Sequence, residues 1–190
     1  MIVDIYKTPK QYNIIYADPP WQYEAWSNDE GKISHKYDTM SLQDLSKLPV
    51  KKIAANSCVL FMWATFPCLS EALQLINKWG FTYKTCAFTW VKLDKSGTND
   101  FFGLGYYTRS NAEICLIATK GDPLERQSKS VKQVIMTPVE EHSKKPNQAR
   151  ERIVELFGDL PRIELFARQQ AEGWDCWGNE VDNRKKKRLV

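Results

Sequence analysis

The 190-residue chain has no Cys-x-x-Cys pair and only two histidines, His35 and His142. Its five cysteines, Cys58, Cys68, Cys86, Cys115 and Cys176, are scattered and odd in number. That pattern excludes a disulfide framework and a zinc site, so no metal is expected and the thiols are read as reduced and mostly buried. No apolar run approaches the ~20 residues of a membrane span. The start, Met-Ile-Val-Asp, lacks the basic and then apolar pattern of a signal peptide. A soluble, cytoplasmic protein without membrane contact is therefore expected. Glycine is sparse, and the stretch Gly103-Leu-Gly105-Tyr-Tyr-Thr108 lacks the third glycine of a dinucleotide fingerprint and opens no helix. It is read as a mobile loop. A large charge excess is also missing: a net +4 and a pI near 8.7 permit a nucleic-acid partner without demanding one.

What is present is a composition that folds. Hydrophobic residues make up 43% of the chain, with seven Trp, eight Tyr and eight Phe, which supports a packed core in one domain. Residues 1–183 are assigned to that domain and the basic run 184–190 to a solvated tail. Asn13 to Ala17 is a short apolar run that stops at Asp18-Pro19, hence a buried strand. Further strands are expected at 57–64, 81–91, 113–119, 134–136 and 162–166. Helices are expected from Ser41 to Leu48, from Leu69 toward Gly80, and from Pro146 to Phe157. The segments 22–40 and 94–110 lack periodicity and read as long, functional loops. Alternating strands and helices predict an α/β architecture with a mostly parallel sheet.

One stretch carries chemistry: Tyr16-Ala17-Asp18-Pro19-Pro20-Trp21, at the end of the first strand, where open α/β sheets place their ligands. An acid, two prolines and an aromatic suit methyl transfer to an amine attached to a planar ring or carbonyl. The lone pair of such a nitrogen is delocalised, which makes it a poor nucleophile. Two acceptors that bind its N–H groups pull it toward a tetrahedral shape and aim the lone pair outward. Asp18 supplies one acceptor and a backbone carbonyl of the Pro19-Pro20 segment the other, in a turn stiffened by fixed φ angles. Trp21 offers a face on which a base stacks, worth about 1–3 kcal/mol. The alternative is a plain proline-rich turn after a strand.

A second cluster lies downstream: Ser143-Lys-Lys145-Pro146, Glu164-Leu165-Phe166-Ala167-Arg168, Gly173-Trp174 and Gly178-Asn179-Glu180. With Asp18-Pro-Pro-Trp21, Lys-Tyr37-Asp-Thr-Met40, Thr89-Trp90-Val-Lys92 and Asn111-Ala-Glu113, the chain from Asn13 to Glu180 resembles the MT-A seventy family of adenine N6-methyltransferases. That family is named after the seventy-kilodalton subunit of an mRNA adenosine methyltransferase. The resemblance implies a Rossmann-like methyltransferase fold with helices on both faces of the sheet and the catalytic motif ahead of the cofactor strand. It implies S-adenosylmethionine as cofactor, with Asp18 touching both the target amine and the cofactor ammonium. Lys145 is then assigned to the cofactor carboxylate. Glu164, Leu165, Phe166, Arg168, Asn179 and Glu180 go to the adenosine half, with Phe166 packing on the ring. Asp4-Ile5 corresponds, at a shorter spacing, to an Asp-Ile pair that holds the cofactor adenine in family members. Tyr37, Lys92 and Glu113 are placed around the extruded adenine.

Each side chain also has a structural reading. Tyr37 and Phe166 could pack, Glu113 and Lys145 could be solvated, and Arg168 could pair with Glu164. The expected substrate is adenine in DNA, with the same chemistry on RNA as the alternative and Lys and Arg of residues 120–152 touching phosphates. Two rivals are a non-catalytic nucleic-acid-binding subunit and a methyltransferase for protein glutamine amides. The first conflicts with the intact motif at Asp18, and the second with the Asp and Trp in its outer positions. Monomer and homodimer remain equal expectations.

Overall fold

The computed structural model describes residues 1–22, 39–103, 105, 107–140 and 144–181. Its strands are β1 (Tyr12–Ala17), β2 (Ala54–Ala64), β3 (Thr82–Leu93), β4 (Ala112–Lys120), β5 (Val134–Pro138), β6 (Arg162–Leu165) and β7 (Asp175–Trp177). Its helices are α1 (Leu42–Lys47), α2 (Val50–Ile53), α3 (Leu69–Lys78) and α4 (Asn147–Phe157). The strands form one sheet in the order β5-β3-β4-β2-β1-β6-β7. Four neighbour contacts are parallel and two antiparallel, both of the latter made by β4. The mostly parallel α/β architecture expected from the sequence is what forms.

Side-chain alternation along the strands explains the two covered faces. Ile15, Ala17, Leu60, Met62, Leu116 and Leu165 pack under α1, α2 and α3 through Leu45, Ile53, Ala72, Leu75 and Ile76. Ile14, Tyr16, Val59, Phe61, Trp63 and Cys115 pack under α4 through Ala149, Ile153 and Phe157. Ser41 caps α1 by accepting from the Asp44 amide at 3.1 Å, as the capping-box pattern predicts. Trp79, at the end of α3, donates its indole N–H to Leu45 O at 2.9 Å and so fixes α3 against α1. Pro146 precedes α4 as its N-cap, with φ −62° and ψ 135°.

Several elements depart from the sequence reading. β2 begins at Ala54 rather than Ser57. The four-residue α2 and the short 3-10 turn Phe66–Cys68 were not expected. Neither was β7, which has three residues and opens on Asp175. β7 owes its place to β6 on one side and a bridge from Ile2 to Cys176 on the other. Among the described residues no helix is long and apolar enough to cross a membrane. Residues 23–38, with Tyr37, and the basic run 184–190 lie outside the described residues.

Asp175 anchors the β7 edge. It accepts from Tyr12 Oη at 2.8 Å and from Lys10 Nζ at 2.5 Å, and its side chain is only 10% exposed. Burial alone would raise its pKa, but the bonds from Lys10 and Tyr12 hold it below the usual carboxylate range. A depressed folded-state pKa contributes stability above the unfolded value that is lost as pH falls through the folded one. Asp175→Ala is expected to lower unfolding free energy by about 2 kcal/mol at pH 7, because it strands a buried phenol and an ammonium. Urea titrations should show the difference between wild type and variant shrinking below about pH 4.

Candidate active site

The parallel pairing of β1 with β6 makes Ala17 and Leu165 register partners, so the residues that follow them emerge side by side. The Asp18 amide lies 3.5 Å from Leu165 O. β4 runs the other way, so it delivers its first residues to this same edge, where Glu113 is the register partner of Trp90 on β3. Lys145 arrives from the segment between β5 and α4, directly before Pro146. Four separate stretches of chain thus converge at the carboxyl edge of the parallel strands.

They meet as a row of alternating charge. Lys145 Nζ lies 2.9 and 3.0 Å from the two Asp18 carboxylate oxygens and 3.2 Å from Glu113 Oε2. Glu113 Oε1 is in turn 2.5 Å from Lys92 Nζ. The Lys145 side chain is 10% exposed, Glu113 13%, Lys92 19% and Asp18 22%, so the row is shielded without being sealed. Lys145 also sits 5.8 Å from the Trp63 ring centre and Lys92 5.1 Å from that of Trp90. Burial disfavours the Lys145 ammonium, yet Asp18 and Glu113 outweigh it and push its pKa up. Burial likewise disfavours the Glu113 carboxylate, but Lys145 and Lys92 bring its pKa down. For Asp18 burial prevails: its carboxyl is pushed up, against the pull of Lys145 and with the push of Glu113.

The motif turn differs in two respects from the sequence expectation. The prolyl carbonyls are not idle, since Pro19 O accepts from the Trp21 amide and Pro20 O from the Met40 amide, each at 2.9 Å. A carbonyl has two lone pairs, so each keeps one acceptor position. Trp21 is 7% exposed, packed in the core beneath α1 and α3, and donates its indole N–H to Trp63 O at 3.0 Å. Its ring pins the motif turn to β2, and the expected stacking face for a base is used up in that packing.

The cofactor-side residues divide into an inner and an outer group. Glu164 is buried, and both its oxygens accept from Arg150 at 2.7 Å. Burial pushes Glu164 up, opposed by Arg150. The alternative structural pairing of Glu164 with Arg168 is not what forms; Arg168 lies 3.7 Å from Glu180. Leu165 has no exposed surface and serves the core, so only its carbonyl reaches the edge. Phe166 takes φ 61°, a left-handed backbone that a bulky residue adopts at a cost of about 1–3 kcal/mol. The Ala167 amide bond to Trp177 O at 3.0 Å holds it there. Gly178 makes the approach possible, because a Cβ at that position would lie 2.4 Å from Ala167 O. The Phe166 ring meets Trp177 edge-on at 5.5 Å, and Trp177 meets Tyr6 at 6.4 Å. Ile5 is buried in the core, whereas Asp4 accepts from the Tyr6 amide in an exposed turn at 3.0 Å.

A cleft joins these groups, lined by Asp18, Lys145, Glu164, Phe166, Arg168 and Glu180. Asn179 is exposed next to it. Tyr16, Lys144, Arg150 and Gln169 also line the cleft and were missed from the sequence. Arg150 had a signal, three residues after Asn147 on the first turn of α4, where it donates to Asn147 Oδ1 at 3.0 Å. The basic residues expected to touch phosphates are partly committed elsewhere. Lys120 donates to Ala54 O, Arg150 to Glu164, and Arg152 to the carbonyls of Lys132 and Val134. Arg126, Lys129 and Lys132 remain exposed.

The chain is 39% identical to the Type II methyltransferase M.MunI of a Mycoplasma species, over 93% of this chain and 80% of that protein. It is 28% identical to human METTL4, an N(6)-adenine-specific methyltransferase, over 90% of this chain and 38% of that protein. It is 25% identical to human METTL3, an N(6)-adenosine-methyltransferase catalytic subunit, over 90% of this chain and 28% of that protein. The MT-A70 family profile matches residues 12–180, which include every charged group of the row and the cleft. With Asp18, Lys145, Glu113 and Glu164 all inside the matched span and gathered at one sheet edge, the chain belongs to the MT-A70 family.

Proposed function

We propose that the chain is an S-adenosylmethionine-dependent methyltransferase that methylates the exocyclic N6 amine of adenine in DNA. One observation carries the reading: a half-buried carboxylate, Asp18, stands at the carboxyl end of β1 in a proline-stiffened turn and opens onto a cleft of mixed charge. The residues present suit the cofactor. Its amino-acid half is a zwitterion, and the cleft offers Asp18 to an ammonium and Lys145 to a carboxylate. Its ribose hydroxyls both donate and accept, and Glu180 and Asn179 stand at the outer end, with the Phe166 ring beside them. The cofactor supplies an electrophilic methyl group on a sulfonium centre.

The chain's own residues do the rest by holding and orienting. Asp18 accepts an amine N–H, and the free lone pair of a prolyl carbonyl accepts the other. Trp21 keeps the turn from yielding, which preserves the aim of the nitrogen lone pair. Lys145 keeps Asp18 ionised in a site whose burial favours the neutral acid. After transfer, the methylated nitrogen is an acidic cation, and its proton passes to Asp18 or to water. A base inside a duplex hides this amine, so the target is extruded or single-stranded. Glu113 and Tyr37 are proposed around that base. DNA is favoured over RNA by the higher identity and fuller coverage shared with M.MunI; the chain spans only 38% and 28% of METTL4 and METTL3.

Asp18→Ala is expected to lower the single-turnover rate by at least about 10²–10³-fold, the scale of one lost oriented partner, and Asp18→Asn to leave at most a trace. Methyladenine formation in a DNA oligonucleotide measures both, and a wild-type rate for Asp18→Ala would refute the mechanism.

Lys145→Ala is expected to weaken cofactor binding by about 1–3 kcal/mol. The same change disturbs Asp18, so the informative quantity is the difference between ligands. Calorimetry with S-adenosylmethionine and its decarboxylated form should show the larger loss for the former. Equal losses would remove Lys145 from the carboxylate role.

Matched DNA and RNA oligonucleotides in competition should give the higher kcat/KM for DNA, with binding that weakens steeply as salt rises. A preference for RNA would reassign the substrate while leaving the chemistry in place.

A further inference from the structure

Lys92 occupies an unusual junction. Its backbone closes the β3–β4 loop at both sides, with its amide donating to Asn111 O at 2.7 Å and its carbonyl accepting from the Phe101 amide at 3.0 Å. Its side chain turns inward, lies over Trp90 and is spent on Glu113 Oε1. An ammonium so engaged has little left for a base. Glu113, however, also reaches Lys145, which bridges to Asp18. Lys145 therefore stands between two competing carboxylates, and among the described residues only Glu113 has a second ammonium at ion-pair distance.

We propose that Lys92 is a positioning residue that acts on Asp18 through Glu113 and Lys145: by satisfying Glu113 it leaves the Lys145 ammonium directed at the Asp18 carboxylate. The proposal rests on Asp18 being the amine acceptor and replaces the expected contact of Lys92 with adenine. Without the Lys92 charge, Glu113 draws Lys145 toward itself and Asp18 loses part of its partner. Its carboxyl then protonates at a higher pH, and the acceptor is lost earlier on the acid side. Glu113 has the opposite sign. Removing its charge takes a repulsive neighbour from Asp18 and gives Lys145 to Asp18 alone. The other charged groups facing Asp18 are Arg168, beyond β6, and Arg150 and Glu164 on α4 and β6. Glu164 is occupied with Arg150, so the substitutions leave that pair untouched.

The test reads Asp18 directly. Carbon-13 carboxyl NMR titrations of the protein without substrate, with the Asp18 signal assigned from Asp18→Asn, would be compared for wild type, Lys92→Met, Lys92→Arg and Glu113→Gln. Lys92→Met should raise the Asp18 midpoint by up to about one pH unit, the lower end of what an adjacent opposite charge does. Lys92→Arg should restore most of it, and Glu113→Gln should lower it. The acid limb of the single-turnover rate should move in the same directions, with little change in KM for DNA in the two Lys92 variants. An Asp18 midpoint unmoved in Lys92→Met and Glu113→Gln would overturn the proposal. So would a loss confined to KM, which would make Lys92 a substrate contact, or a lowered Tm as the sole effect. If Asp18→Ala were active while these midpoints moved, the assigned reaction would fail and the coupling would stand.

Discussion

A single ammonium, that of Lys145, neutralises two carboxylates that the sheet topology forces together. Asp18 follows β1 and Glu113 lies one residue after the start of β4, and both stand at one edge because β4 is reversed. Two anions so close, at the margin of a buried region, repel each other and favour protonation. Lys145 offsets part of that penalty for Asp18 and more of it for Glu113, which Lys92 relieves again. Most of the remaining architecture serves to hold this arrangement. Pro146 sets the direction of the chain into α4 directly after Lys145, and the Trp63 ring lies against the Lys145 ammonium.

A site built from paired charges has a cost that an apolar one does not. Each ion is only partly hydrated, and taking away one partner leaves the other in a poor environment. The second pair, Arg150 with Glu164, is bidentate and comparably buried, and it braces the floor of the cleft between α4 and β6. It is better understood as structural support for the cleft than as a reserve of contacts for a ligand. The partly buried Arg168 and the exposed Glu180, 3.7 Å apart, are the looser pair and the more adaptable one.

Much of this was legible in the sequence because apolar runs end where the motif residues begin. β1 stops at Asp18 because the two prolines cannot donate, and α4 starts after Pro146 for a related reason. Asp18, Lys145, Glu113 and Lys92 were all singled out from the chain, and all meet. What the sequence did not carry was partnership. Glu164 looks equally free to pair with Arg168 or Arg150, and only the packing of α4 on β6 decides. Trp21 reads as an exposed platform from its place after two prolines, but the turn directs it into the core. β7 was missed because three residues beginning with an aspartate have no periodicity. Its pairing depends on contacts from both ends of the described chain.

The reversed β4 has one further consequence, for how this scaffold can diversify. Because β3 and β4 are antiparallel neighbours, the connection between them starts and finishes at adjacent points, joined by the Lys92 amide to Asn111 O. A connection with its ends already closed tolerates insertions cheaply, since doubling its length adds only about 0.6 kcal/mol of closure entropy. Segments of different length and composition can therefore be exchanged at this one place, on the sheet edge that carries Asp18, without reopening the sheet. The charged row and the part of the molecule best suited to vary are neighbours in space yet mechanically separate.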